Sequence, residues 1–136
     1  LEPNTSPIID RIKAINQFIE AGYDVHINFS PVIVHDKWLD HYSYLFADVA
    51  KYVNYPELVK AEVIFLTHNE GKHKHNLIYD YKGEHLLWNP EIQESKVSQY
   101  GGKNIRYKHN LKAEYIRQWT GLHDEIIPWN TIRYIF

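Results

Sequence analysis

At 136 residues the chain fits a single domain, and a 44% hydrophobic share with 15% aromatics is enough for a substantial core rather than a disordered chain. A net charge of −2 with histidine neutral gives no whole-chain electrostatic case for a nucleic-acid partner, and leaves room only for a local basic patch. Cysteine is absent, which excludes disulfides, cysteine-ligated zinc and an iron–sulfur cluster held by this chain's own residues.

Leu1–Ser6 is a polar lead-in. Ser6 as N-cap and Pro7 at the first helical position predict a helix, with Ile8, Ile12, Ile15 and Ile19 on one face. Gly22 ends it. Asp24–Val34 then reads as a strand: Val25, Ile27 and Phe29 alternate with His26, Asn28 and Ser30, and an apolar run of Val32, Ile33 and Val34 follows. Its β-branched density suits a covered, parallel sheet, and Pro31, which cannot donate to a ladder, should loosen the pairing. A strand that loosens at its C-terminal end and feeds a helix is where α/β folds place ligands.

Asp36 is placed to cap a second helix whose Trp38, Tyr42, Leu45, Phe46 and Val49 face a sheet. Glu62–Thr67 is a short buried strand. The α-β-α-β order with right-handed crossovers implies a parallel arrangement. From His68 to about Lys103 periodicity is lost, and so long a stretch suggests a lid or binding loop. It closes on the turn Gln99-Tyr100-Gly101-Gly102, across which Asn104–Lys108 pairs back as a hairpin. Leu111, Tyr115, Trp119, Leu122 and Ile126 mark a third helix that Pro128 stops, and Thr131–Phe136 is a terminal strand.

The histidines His68, His73 and His75, with Glu70 and His85 near them, match no established metal-ligand spacing, so no metal is assigned. His68 and Asn69 follow a strand end and read as hydrogen-bonding or substrate-positioning groups at a barrel mouth. His26 and Asn28 alternate with apolar neighbours and should line a cavity, since an inward polar pair without function costs stability. Lys96, Lys103, Arg106 and Lys108 put positive charge around the hairpin, suited to phosphate contacts. Trp88, Trp119 and Trp129 read as packing, and Glu91 and Glu94 as a solvated face.

The ordered set Glu2-Pro3-x-Thr5-Ser6, Arg11-Ile12-x-Ala14, Ala21-Gly22-Tyr23, Pro31, Trp38, Tyr42 and Leu45-Phe46 resembles the C-terminal half of the spore photoproduct lyase family. So do the phrases AGYDVHINFSPVI, EVIFLTHNE, LLWNPEIQESKVSQYGG and IRYIF, so that the resemblance covers essentially the whole chain. It implies an α/β fold, the C-terminal part of a partial (β/α) TIM-type barrel with mostly parallel strands, as one unit over residues 1–136 with 67–108 as a loop and hairpin insertion. It also implies a radical S-adenosylmethionine (SAM) lyase acting on a thymine photoproduct in DNA, with S-adenosylmethionine and a [4Fe–4S] cluster in the full-length protein. The family's cluster cysteines, C-x-x-x-C-x-x-C, lie upstream and are missing here. With Leu first and no Met, the chain is expected to be the back half of a longer protein, inactive alone.

By the same resemblance Ser30, Pro31 and Val32 are the expected cofactor contacts, at the strand end near the adenine. Glu2 and Thr5 face the same side. Tyr100 corresponds to a hairpin tyrosine that wedges at the lesion, a suitable stacking platform for an unpaired base. The family carries Gly-Arg before that tyrosine where this chain has Ser98-Gln99, which removes a phosphate or base contact and weakens the case for photoproduct repair. The expected partners are the missing N-terminal half or a second copy, and DNA. With no apolar run of about 18 residues and no signal-peptide pattern, the chain is expected to be soluble and cytoplasmic. Two other readings stand beside this one: a small His-rich metallohydrolase, and a non-catalytic α/β interaction domain.

Overall fold

The computed structural model describes residues 4–98 and 101–136. Helix α1 (Ile8–Glu20) opens one residue later than the Ser6 cap predicts: Pro7 is the N-cap, and its carbonyl accepts from the Arg11 amide at 3.1 Å. Gly22, at φ +88°, reverses the chain as expected of a helix-ending glycine. Strand β1 (Val25–Val32) follows, then α2 (Trp38–Tyr52), which starts after Lys37 in the left-handed region. The N-cap is therefore Lys37 and not Asp36, and no side chain caps this helix. A 3₁₀ turn, Pro56–Leu58, leads into β2 (Val59–Phe65), three residues ahead of the expected Glu62 start.

The stretch without periodicity is structured. Strand β3 (Thr67–Asn69) runs into α3 (Glu70–Ile78), a short helix α4 (Glu84–Leu87) and β4 (Gln93–Val97). Then come β5 (Lys103–Tyr107), α5 (His109–Ile126) and β6 (Thr131–Ile135). The short elements escape a periodicity search because none is long enough to repeat its pattern.

Two three-stranded sheets result. One is parallel in the order β1-β2-β6, and the other antiparallel in the order β3-β5-β4. The expected β4–β5 hairpin is present, with Gln93 opposite Tyr107 and Val97 opposite Lys103. Its turn is closed from Ser98, whose amide donates to the Gly102 carbonyl at 2.7 Å and whose hydroxyl accepts from the Gly102 amide at 3.1 Å. Gly101, at φ +81°, adopts a backbone that side-chain-bearing residues rarely take.

The parallel sheet is buried on one side. Phe29, Val59, Ala61, Val63 and Phe65 pack with Phe46 and Val49 of α2 and Trp119 of α5 in one core cluster. Phe29, Phe46 and Trp119 meet edge to face, with centroids 5.1 to 5.5 Å apart. Trp119 is fully buried, while Trp88 and Trp129 are only half-buried. His123 stacks on Trp119 and hydrogen-bonds Asn130 Oδ1 at 3.1 Å. Because the Asn130 amide nitrogen donates to the Val59 carbonyl, its oxygen faces the ring, and His123 Nε2 must be the donor. This chain of bonds fixes the end of α5 to the start of β2. The second sheet joins the first through Tyr107, whose oxygen accepts from the Val34 amide at 2.8 Å. Among the described residues no helix is long and apolar enough to cross a membrane.

Trp119→Ala is expected to cost about 3–5 kcal/mol in chemical denaturation, because it empties the centre of the core. Tyr107→Phe keeps the ring but leaves a Val34 amide without its acceptor, and should cost about 1–3 kcal/mol.

Candidate functional site

The side of the parallel sheet opposite the helices is polar. Strand alternation sends Val25, Ile27 and Phe29 to the helices and His26, Asn28 and Ser30 to the other face. Glu62 of β2 and Arg133 and Tyr134 of β6 join them there. The Arg133 guanidinium donates to Glu62 Oε1 at 2.7 Å and to His26 Nδ1 at 2.9 Å. The Tyr134 hydroxyl donates to Glu62 Oε2 at 2.5 Å. Since arginine cannot accept a hydrogen bond, His26 Nδ1 is unprotonated and its proton sits on Nε2, 3.3 Å from Asp24 Oδ2. A continuous hydrogen-bonded chain thus crosses all three strands. The Tyr134 hydrogen bond holds the Glu62 carboxyl below the usual range against the opposing effect of burial, with further help from the positive charge of Arg133.

Strand β1 stands at one end of the sheet order. Its ladder with β2 shifts register between Phe29 and Val32, so Ser30 and Pro31 are exposed and have no β2 partner. The loosening expected at Pro31 is therefore present, and the Ser30–Pro31 peptide is cis. A groove of about 490 Å³ runs along this edge, lined by His26, Asn28, Ser30 and Pro31 on its polar side and by Ile12, Ile15, Leu45 and Val49 on its apolar side. Backbone groups and polar side chains here suit the edge of a heterocyclic base. Val32 differs from expectation: its side chain is fully buried in the core and its carbonyl accepts from the Leu66 amide, so it has no face to offer a ligand.

The other expected residues lie on the second sheet, away from this face. Asn69 caps α3, its side-chain oxygen accepting from the Lys72 amide at 2.9 Å. His68 bonds the buried carboxylate of Glu84. Lys96 is exposed, whereas Arg106 pairs with Glu94 at 3.4 Å. Lys96 and Arg106 share one face of the hairpin and Lys103 points to the other, so the positive charge does not form a single patch. Gln99, Tyr100 and Glu2 lie outside the described residues. Glu62, Arg133, Tyr134 and Glu84 were not singled out in the sequence. Alternation within EVIF puts Glu62 opposite Val63 and Phe65 and is the signal that finds it. Arg133 and Tyr134, adjacent in sequence, both reach Glu62 because the β2–β6 ladder shifts register between Ala61 and Glu62, which alternation in IRYIF does not foretell. For Glu84 no sequence signal exists.

A parallel sheet with helices on one side, a polar opposite face and β1 at its edge defines an α/β protein. The family model "Spore photoproduct lyase" matches residues 1–136, and the chain belongs to that family. A curated relative, spore photoproduct lyase of Bacillus subtilis (strain 168), is 30% identical over 116 residues, covering 82% of this chain and 33% of its own length. A solved structure of a spore photoproduct lyase double mutant with bound AdoMet and dinucleoside spore photoproduct superposes at a TM-score of 0.86 and 20% identity. The enzyme complexed with dinucleoside spore photoproduct gives 0.85 at 20% identity. Both structures are matched over 100% of this chain and 40% of theirs, so the chain spans well under half the length of these relatives. The fold is that of a partial barrel, and the metallohydrolase and interaction-domain readings gain no support.

Glu62→Gln tests the three-strand hydrogen-bonded chain. A carboxyl depressed in the folded state adds stability that is present above its unfolded value of about 4.3 and is lost as pH falls through the lower folded value. The wild-type melting temperature should therefore fall more steeply than that of Glu62→Gln as the pH is lowered below about 4.3. Equal slopes would show that the chain of bonds adds nothing.

Proposed function

We propose that the chain is the C-terminal part of a spore photoproduct lyase-like radical SAM enzyme, acting as one unit on a thymine photoproduct or related lesion in cytoplasmic DNA. The observation that carries this reading is the end-to-end match to a structure holding both AdoMet and the dinucleoside photoproduct, together with the polar sheet face and bare β1 edge described above. The missing N-terminal half is the partner. It pairs with β1, closes the groove and turns the polar face into a water-excluding interior.

S-adenosylmethionine, when bound, supplies the carbon radical that abstracts hydrogen from substrate. This chain's task is to place it. Ser30 and Pro31 present backbone at the loosened strand end, and Asn28 and His26 offer side chains beside it. The hydrogen bond from Arg133 holds His26 in one tautomer and one orientation. The [4Fe–4S] cluster does not fit this chain, which has no cysteine, so its ligands belong to the remainder. On the hairpin, Gln99 and Tyr100 approach the lesion, while Lys96 and Arg106 contact the DNA backbone. His68 and Asn69 hold the base of that hairpin through β3, and so position it rather than touch substrate.

The test is reconstitution of this chain with an N-terminal half carrying the cysteine motif. The assembled protein should bind S-adenosylmethionine, and Asn28→Ala should weaken that binding. Lys96→Ala should lower the salt dependence of DNA binding by about one counterion. Alone, the chain should self-associate through its bare parallel edge, as seen by analytical ultracentrifugation, and the added half should suppress this. Failure of the assembled protein to bind S-adenosylmethionine overturns the reading.

A further inference from the structure

The segment between β3 and β4 has an unusual centre. In α3 and α4 the large apolar side chains Leu77 and Ile78 are exposed, as are Tyr79 and Tyr81 beyond them. What is buried instead is polar: His73 at 6% and Glu84 at 5% exposure. Glu84 Oε1 lies 2.6 Å from His68 Nε2 and 2.5 Å from His73 Nδ1, and Oε2 accepts from Asn76 Nδ2 at 2.7 Å. Three elements, β3, α3 and α4, are therefore tied together by one carboxylate and two imidazoles, while Leu87 packs against the core and Trp88 lies beside His73.

We propose that His68, His73 and Glu84 form a binding site for a divalent transition-metal ion of the zinc type, which staples this segment to the second sheet. Two imidazole nitrogens and a carboxylate oxygen are a donor set that zinc accepts. The three ligand atoms all lie within 4.8 Å of one another. A tetrahedral ion with bonds of about 2.0–2.2 Å sets its donors about 3.4 Å apart, so small rotations of the two imidazoles admit it. Asn76 already holds the far oxygen of Glu84, the outer support that orients a ligating carboxylate. The ion would replace the two imidazole protons that now share Oε1, and would cancel the charge of a buried carboxylate. His75, which faces Tyr79 and Tyr81, and the exposed His85 take no part. The role is structural: the site lies off the polar sheet face, and no reaction is assigned to it.

The experiment is titration of the chelator-stripped chain with Zn²⁺, followed by calorimetry and melting, and with Co²⁺, followed by visible absorption. One ion per chain, a raised melting temperature and the visible bands of tetrahedral Co²⁺ are expected. His73→Ala and Glu84→Gln should abolish all three, Asn76→Ala should weaken affinity about 10- to 100-fold, and His75→Ala should change nothing. Should Glu84→Gln fail to fold, His68→Ala at the half-buried rim gives the same loss. Absence of stoichiometric binding, or binding that survives His73→Ala and falls with His75→Ala, overturns the site.

Discussion

Phe29, Phe46 and Trp119 meet at the point where β1, α2 and α5 converge, and their contact decides which side of the sheet is covered. A strand has two faces, and once Phe29 is committed to the helices, His26, Asn28 and Ser30 have nowhere to go but the other side. The same commitment aligns Ala61 and Val63 of β2 with the core and turns Glu62 outward. Everything polar that the candidate site contains follows from that aromatic contact. The Asn130–His123 bonds then fix the far end of α5, so β6 is delivered beside β2 with Arg133 over Glu62.

The polar face is organised by hydrogen bonds among its own side chains. Arg133 bridges strands that are not neighbours, reaching across Glu62 to His26, and its permanent charge removes ambiguity about the histidine's tautomer. Such an arrangement is costly to keep on an open surface, where water competes for each bond. The β1 edge, the groove beside it and the polar face meet at His26, Asn28 and Ser30.

The antiparallel sheet is attached differently. It meets the parallel sheet through Tyr107 and the adjoining core, while its own α3–α4 segment is centred on Glu84 and two histidines. Burial pushes the Glu84 carboxyl upward, and the hydrogen bonds from Asn76, His73 and His68 more than offset it, leaving the group below its usual range. A region held by polar contacts specifies geometry more sharply than one held by apolar area, because each bond has a direction. It also tolerates less change at any single position.

The helices α1, α2 and α5, the strand β1 and the hairpin were legible in the residues, because each is long enough for its period to repeat or is bracketed by glycine or proline. The family resemblance was legible too, through short phrases spread in order along the chain. The polar face was half legible: alternation in β1 exposes His26 and Asn28, but nothing in one strand names its neighbours. Only the tertiary structure brought Arg133 to His26 across 107 positions, and Glu84 to His68 and His73 across 16 and 11. Val32 marks the same limit from the other side, since a residue two places beyond Ser30 on an alternating strand should share its face. The shift at Pro31 sends it into the core instead. Local sequence determines period and punctuation; which side chains meet is decided by how the elements pack, and that information is held in no single segment.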